Sequence, residues 1–166
     1  MVHKLRVLVA VCALVVWVAG CKSAPPPPKP TVVKARIVAS ANINQRPDGG
    51  AQPVHVRVFQ LKDDSVFASA DFWALVDKGK ETLGATLIQQ LQYDMAPGQQ
   101  RDLELKIDPE AHVLGVVAEF ADYRNSNGHW RTVGATPEKS LLDIVRREKR
   151  IIINLNLNDV AIRMGD

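Results

Sequence analysis

The residues of this chain able to do covalent, metal or proton chemistry are few and scattered. Cys12 and Cys21 both lie near the start, and the histidines beyond them are His55, His112 and His129, each on or beside a stretch with strand periodicity. Zinc prefers thiolate and imidazole ligands at short spacings, and no such set stands here. A Gly-x-Ser-x-Gly elbow is absent. Asp122-Tyr123-Arg124-Asn125-Ser126-Asn127-Gly128 has the composition of a calcium loop, but Tyr123 stands where EF-hand spacing requires the first Asp. Asp63-Asp64 and the pair Glu119 and Asp122 lack the partner motif that acid/base work needs. The histidines therefore read as solvent-facing or capped, no metal site is expected, and nothing motivates an enzyme.

Cys21 is the one reactive position with a defined local context. His3, Lys4 and Arg6 form a positively charged segment, residues 7–18 are an apolar run, and Ala19-Gly20 lead directly into the cysteine. A helix spanning a bilayer needs about 20 apolar residues, so the run reads as the core of an export signal. Val18-Ala19-Gly20-Cys21 resembles the lipobox of bacterial lipoproteins, with Val18 in place of the usual leucine. The resemblance implies diacylation of the Cys21 thiol, cleavage before it and acylation of the new amino group. At about 0.8 kcal/mol per buried CH₂, two or three chains hold a protein on a membrane where one would not. Lys22 follows; it is not the Asp that retains such lipoproteins at the inner membrane, which implies the outer membrane, facing the periplasm. A soluble secreted protein with an incidental cysteine is the competing reading.

Processing changes what composition implies. Of the 21 basic residues, Lys4 and Arg6 leave with the signal, so 19 remain against 18 acidic ones. That near-neutral balance gives no case for nucleic-acid binding. With Cys12 discarded and Cys21 lipidated, no disulfide is possible, and the fold must rest on its own apolar core. The remaining length suits one such core.

The chain divides into a signal peptide at 1–20, a lipidated cysteine with a proline-rich linker at 21–30, and one domain at 31–166. Ala24-Pro25-Pro26-Pro27-Pro28-Lys29-Pro30 favours polyproline II and makes a semi-rigid stalk of about 25 Å. From Thr31 the dominant period is two. Ala35, Ile37, Ala39, Ala41 and Ile43 alternate with Lys34, Arg36, Ser40, Asn42 and Asn44, predicting a long half-buried strand. Val54, Val56 and Val58 predict a second, separated from the first by a loop over 45–53 with two prolines and a Gly-Gly pair. Leu103, Leu105 and Ile107 predict a third, entered by Pro97-Gly98; residues 113–120 a more continuously apolar, central one; Trp130 and Val133 the return strand of a hairpin turning at Asn127-Gly128; and Ile151, Ile153, Leu155 and Leu157 the last. One helix is expected, capped by Ser69, with Phe72, Leu75 and Val76 on one face and its end at Gly79. Residues 82–95 and 138–148 are compatible with helical turns. Short strands with turn signals between them argue for a two-sheet β-sandwich.

Three features suit interaction rather than catalysis. Phe59, Phe67, Phe72, Trp73 and Trp130 gather around the helix and the hairpin; most belong to the core, and adjacent Phe72 and Trp73 cannot both point inward. The run Arg146-Arg147-Glu148-Lys149-Arg150 reads first as a solvated turn. The 45–53 loop is long for a hairpin, and loops on rigid sandwiches are where binding residues concentrate.

Taken in order, Asn42-x-Asn44, the Gly-rich loop, Pro53-Val54-x-Val56-Arg57-Val58-Phe59-Gln60-Leu61, Ala70-Asp71-Phe72-x-x-Leu75, Leu83-Gly84, Ala96-Pro97-Gly98-Gln99, Val113-Leu114-Gly115-Val116-Val117-Ala118-x-Phe120 and Trp130-Arg131 resemble the type VI secretion outer-membrane lipoproteins, the TssJ (VasD, SciN) family. The resemblance implies a mainly β, transthyretin-like sandwich with a short added helix, no catalysis, and no cofactor beyond the lipid on Cys21. It implies a partner, the periplasmic C-terminal part of the large inner-membrane subunit of the secretion complex, and neither nucleic acid nor a small-molecule substrate. The family's usual partner contact, the loop between the first two strands, falls here on Gln45, Arg46, Asp48, Gly49, Gly50 and Gln52. Two rival readings are a carbohydrate- or protein-adhesive lipoprotein on the same kind of sandwich, with Trp73 and Trp130 exposed as aromatic platforms, and a periplasmic hydrolase, which would need a cleft of converging titratable groups.

Overall fold

The computed structural model describes residues 28–46, 48–126, 129–137 and 150–165. Eight strands form two four-stranded sheets: β1 (Thr31–Ala39), β4 (Gln100–Ile107), β7 (Arg150–Asn156) and β8 (Asp159–Gly165) in the order β4-β1-β7-β8, and β2 (Val54–Leu61), β3 (Leu87–Met95), β5 (Val113–Ala118) and β6 (Arg131–Ala135) in the order β3-β2-β5-β6. This is the expected mainly β sandwich. All neighbouring strands are antiparallel except β1 and β7.

Period-two patterning builds the core. Ala35, Ile37 and Ala39 face inward from β1 and align with Ile151, Ile153 and Leu155 of β7. Opposite them, Val56 and Val58 of β2 align with Ala118 and Val116 of β5, all buried. The outer face of the β2 sheet is covered by two helices, α1 (Ser65–Ser69) and α2 (Phe72–Leu83). Phe67 of α1 packs on Phe59, with ring centroids 5.5 Å apart. It also lies so close to β5 that a Cβ on Gly115 would meet its ring at 2.8 Å. A glycine is what lets the helix approach. Burial of a Phe or Leu side chain of this kind stabilises by about 1.5–3 kcal/mol.

Several sequence expectations are corrected. The first strand ends at Ala39, not near Asn44, and residues 41–44 form a turn in which Ala41 is exposed and Asn44 is buried. The α2 cap is Asp71, whose carboxylate accepts from the Ala74 amide at 2.9 Å; Ser69 belongs to α1. An aspartate competes well for the free amides of a first turn. The helix does not stop at Gly79 but continues through non-helical Lys78 (φ −126°, ψ 27°) to Leu83, because Leu83 is buried. Residues 87–95 form a strand, and β8 was not anticipated. Between β5 and β6 lies a turn of 3₁₀ helix at Tyr123–Ser126; Asn127 and Gly128 lie outside the described residues, as do 138–148. β7 stops at Asn156, and Leu157 takes φ 50°.

The strand directions give the sandwich two unlike poles. β1 ends at one, where Ala39 donates to the Gln99 carbonyl, the Gly98 amide to Ser40, and the Val160 amide to His129. Thr31 begins at the other, opposite Ile107. There Gln60 donates to the Lys106 carbonyl and accepts from the Asp108 amide. At about 3.3 Å per residue the nine residues of β1 separate the poles by about 30 Å.

Candidate functional site

The 45–53 loop projects from the pole where β1 ends. Its base is tied down by Asn44, only 6% exposed and in the left-handed region at φ 49°. Asparagine tolerates that conformation better than most residues. Its amide donates to the Leu157 carbonyl at 2.7 Å, its Nδ2 donates to the Pro53 carbonyl at 2.8 Å, and its Oδ1 accepts from the Ala121 amide at 2.7 Å. One side chain thus joins both ends of the loop to the β5–β6 connection. Beside it, fully buried Ile43 anchors the turn in the core, and its carbonyl accepts from the Gln52 amide at 3.2 Å.

Above this base the loop closes on itself. The Arg46 amide donates to the Gly50 carbonyl and the Gly49 amide to the Arg46 carbonyl, while Gln45 Nε2 reaches the Gly49 carbonyl at 3.3 Å. Asp48 accepts from the Gly50 amide at 3.3 Å. Gly49 takes φ 88°, which only glycine adopts without strain. Gln45, Arg46, Asp48, Gly49 and Gly50 are exposed and Gln52 is half-buried. All six candidate residues therefore sit in one loop braced by hydrogen bonds of its own. Its Arg and Asp side chains face solvent. Cys21 lies outside the described residues.

The aromatic cluster expected around the helix and hairpin shares this pole, with Tyr123 as a member that sequence reading did not place. Phe72 stacks on Tyr123 at 3.9 Å between centroids and meets Trp130 edge-on at 5.1 Å. Phe72 and Trp130 are 6% and 7% exposed and Trp73 is 52% exposed, so of the adjacent pair Phe72 and Trp73 only Phe72 is buried. Arg131 lies over the Trp130 ring at 4.7 Å and donates to the Phe67 carbonyl at 2.9 Å; burial lowers its pKa from the usual arginine value.

The three histidines do not converge, although His55, Arg57 and Glu119 line one pocket with Gln92, in which Arg57 donates to Glu119 at 2.6 Å. His55 pairs with Asp94 on the outer face of β2, His129 lies 3.7 Å from Asp159, and His112 sits at the opposite pole, its amide bonded to the Leu61 carbonyl. Among the described residues no group of three or more His, Cys, Asp or Glu side chains is placed to hold a metal ion. No described helix is long and apolar enough to cross a membrane.

Fold and site together define a loop-presenting β-sandwich. Residues 31–159 match the family model of the type VI secretion lipoproteins (VasD, EvfM, TssJ), and the chain belongs to that family. It is similar to the T6SS lipoprotein TssJ1 from Pseudomonas aeruginosa, at 31% identity and TM-score 0.73 over 82% of this chain and 98% of that one. It is also similar to a chain of a type VI membrane complex, at 27% identity and TM-score 0.69 over 81% and 99%. A chain in a structure of the T6SS protein TssM C-terminal domain from EAEC matches at 26% identity and TM-score 0.65, over 80% and 97%. No curated protein sequence matches the chain.

Proposed function

We propose that this lipoprotein anchors the type VI secretion membrane complex at the outer membrane. The lipid on Cys21 holds it there, facing the periplasm, and the 45–53 loop binds the periplasmic C-terminal domain of the large inner-membrane subunit. The observation that carries the reading is the polarity of the sandwich within this family. The proline-rich stalk enters at Thr31, while the exposed, internally braced loop stands at the far end of β1. A tether at one end and a presented hairpin at the other suit bridging between membranes. The chain's likeness to a chain in the TssM C-terminal domain structure supports the choice of partner. The module acts by binding, with no catalytic step and no cofactor besides its lipid. The carbohydrate-binding alternative needs both tryptophans exposed as platforms; Trp73 is exposed, but Trp130 is buried against Phe72.

A lipid-free fragment of residues 31–166, tested by pull-down against that periplasmic domain, should bind. The solved TssJ1 chain, 98% of which this chain covers, supports the choice of a fragment of that size. A folded fragment that does not bind overturns the proposal. In cells, Cys21→Ser should abolish complex assembly while leaving the domain able to bind, and normal secretion by that strain would refute the anchor.

A further inference from the structure

The sandwich is zipped along one side and open along the other. On the closed side, the Val160 amide bonds to the His129 carbonyl, and Gly134 of β6 lies against Ile162 of β8. On the open side run the edges of β3 and β4, hydrogen-bonded together, among the described residues, near their ends by Gln60, which bonds both the Gln89 side chain and the Lys106 carbonyl, and by the Pro97-Gly98 turn. Between those stitches the inward-facing Leu91, Tyr93 and Leu103 stay half-buried, and the Arg101 guanidinium lies 5.1 Å from the Tyr93 ring centre.

The two edges are protected unequally. β4 carries Arg101, Asp102, Glu104 and Lys106, the kind of charge that blunts an exposed edge. β3 reads Leu-Ile-Gln-Gln-Leu-Gln-Tyr-Asp-Met, with Asp94 its one charge and no Lys, Arg or Pro. Its outward hydrogen-bonding groups can be identified. The His55 and Leu61 carbonyls accept from Glu119 and His112, so the odd-numbered residues of β2 turn their backbone groups toward β5. The even-numbered ones turn toward β3, where Val54, Val56 and Val58 face Met95, Tyr93 and Leu91. In an antiparallel ladder the intervening residues direct their N–H and C=O away from the neighbour. On β3 these are Gln90, Gln92 and Asp94, and among the described residues their backbone groups have no partner.

We infer that the β3 edge is a strand-addition site, which takes an extended segment of the same partner that docks on the 45–53 loop. This rests on the docking reading above. An extended chain satisfies both vacancies at once: its backbone pairs with Gln90, Gln92 and Asp94, and apolar residues at every second position cover Leu91 and Tyr93. Continuity selects the occupant, since Val54, the residue immediately after the loop, faces Met95 at the end of β3. A partner seated on the loop is therefore positioned to run down this edge. A second copy of the chain does not fit. Two identical edges pair antiparallel about a two-fold axis, which would set one copy's stalk beside the other's loop pole and hold the two lipid anchors at opposite ends.

The test uses the full mature chain in detergent, titrated with the partner's periplasmic domain. Gln92→Pro removes one outward N–H and no bond to β2; proline is tolerated on such an edge, and it favours an extended residue before it. It should weaken binding by about tenfold or more, while Gln92→Ala, which keeps the backbone donor, stays within about twofold of the unsubstituted chain. A folded Gln92→Pro chain that binds like the unsubstituted one overturns the inference and leaves the loop-docking reading standing. Failure of the unsubstituted chain to bind sinks both. Should Gln92→Pro not fold, amide exchange decides: the Gln90, Gln92 and Asp94 amides of the unsubstituted chain must slow in the complex. Unchanged exchange overturns the inference, as does slowing with concentration in the absence of partner, which would identify a second copy as the occupant.

Discussion

Asn44 and Ala121, 77 positions apart, are joined by a 2.7 Å hydrogen bond from the Ala121 amide to the Asn44 carboxamide oxygen. Through it the presented loop and the β5–β6 connection become one rigid pole. Asn44→Ala removes this bond and the one to the Pro53 carbonyl, a loss of about 2 kcal/mol, and forces alanine into left-handed backbone for about 1 kcal/mol more. Asn44→Gly should recover only the second part. Thermal unfolding of the two variants separates the contributions, and amide exchange at Gln52 should quicken in both.

Gly115→Ala places a methyl group 2.8 Å from two carbons of the Phe67 ring, which is itself fully buried. Overpacking of this kind should cost about 1–3 kcal/mol in urea unfolding. Adding Phe67→Leu should recover part of that loss, because the two changes share one space.

Residues 31–166 hold two tryptophans, Trp73 and Trp130, in opposite environments. Fluorescence of a Trp73→Phe chain should be blue-shifted and shielded from acrylamide, and that of a Trp130→Phe chain readily quenched. Trp130→Ala should cost about 3–5 kcal/mol, Trp73→Ala about 1 kcal/mol.

On the outer face of β1 and β4, Arg36 donates to both carboxylate oxygens of Asp102, at 2.6 and 3.0 Å. The hydrogen bond from Arg36 lowers the Asp102 pKa. A carboxylate whose folded pKa is depressed contributes stability above its unfolded value, near pH 4, and loses it as pH falls through the lowered one. Asp102→Asn should therefore flatten the acid limb of the stability curve. Because the pair is open to solvent, the effect at neutral pH should be small. Urea midpoints of the two chains at neutral pH and below about pH 4 check this.

How much of this was legible in the sequence follows from what sets each feature. Alternation in β4, β7 and the first half of β2 revealed those strands because one face is buried more deeply than the other, whereas from Phe59 on β2 is buried on both faces. β3 escaped because it is an edge strand: Leu87, Ile88 and Leu91 are only half-buried, so its pattern blurs into one a helix could also show. Asn44 was read as an outward strand residue because periodicity carries no sign of a left-handed turn. Asp71 was passed over for Ser69 since two acceptors stood near one helix start, and only the backbone decides between them. The loop's position was legible from its composition and from the family resemblance, whereas its bracing by Ala121 depends on contact across the fold.

The central claim is that the 45–53 hairpin is the docking element. Replacing residues 45–52 with a Gly-Ser linker of equal length, while keeping Asn44 and Pro53, preserves the base and removes the presented side chains. Calorimetric titration of the partner's periplasmic domain into this variant should show affinity lowered by about a hundredfold or more, with unfolding nearly unchanged. An affinity equal to that of the unsubstituted chain would contradict the account.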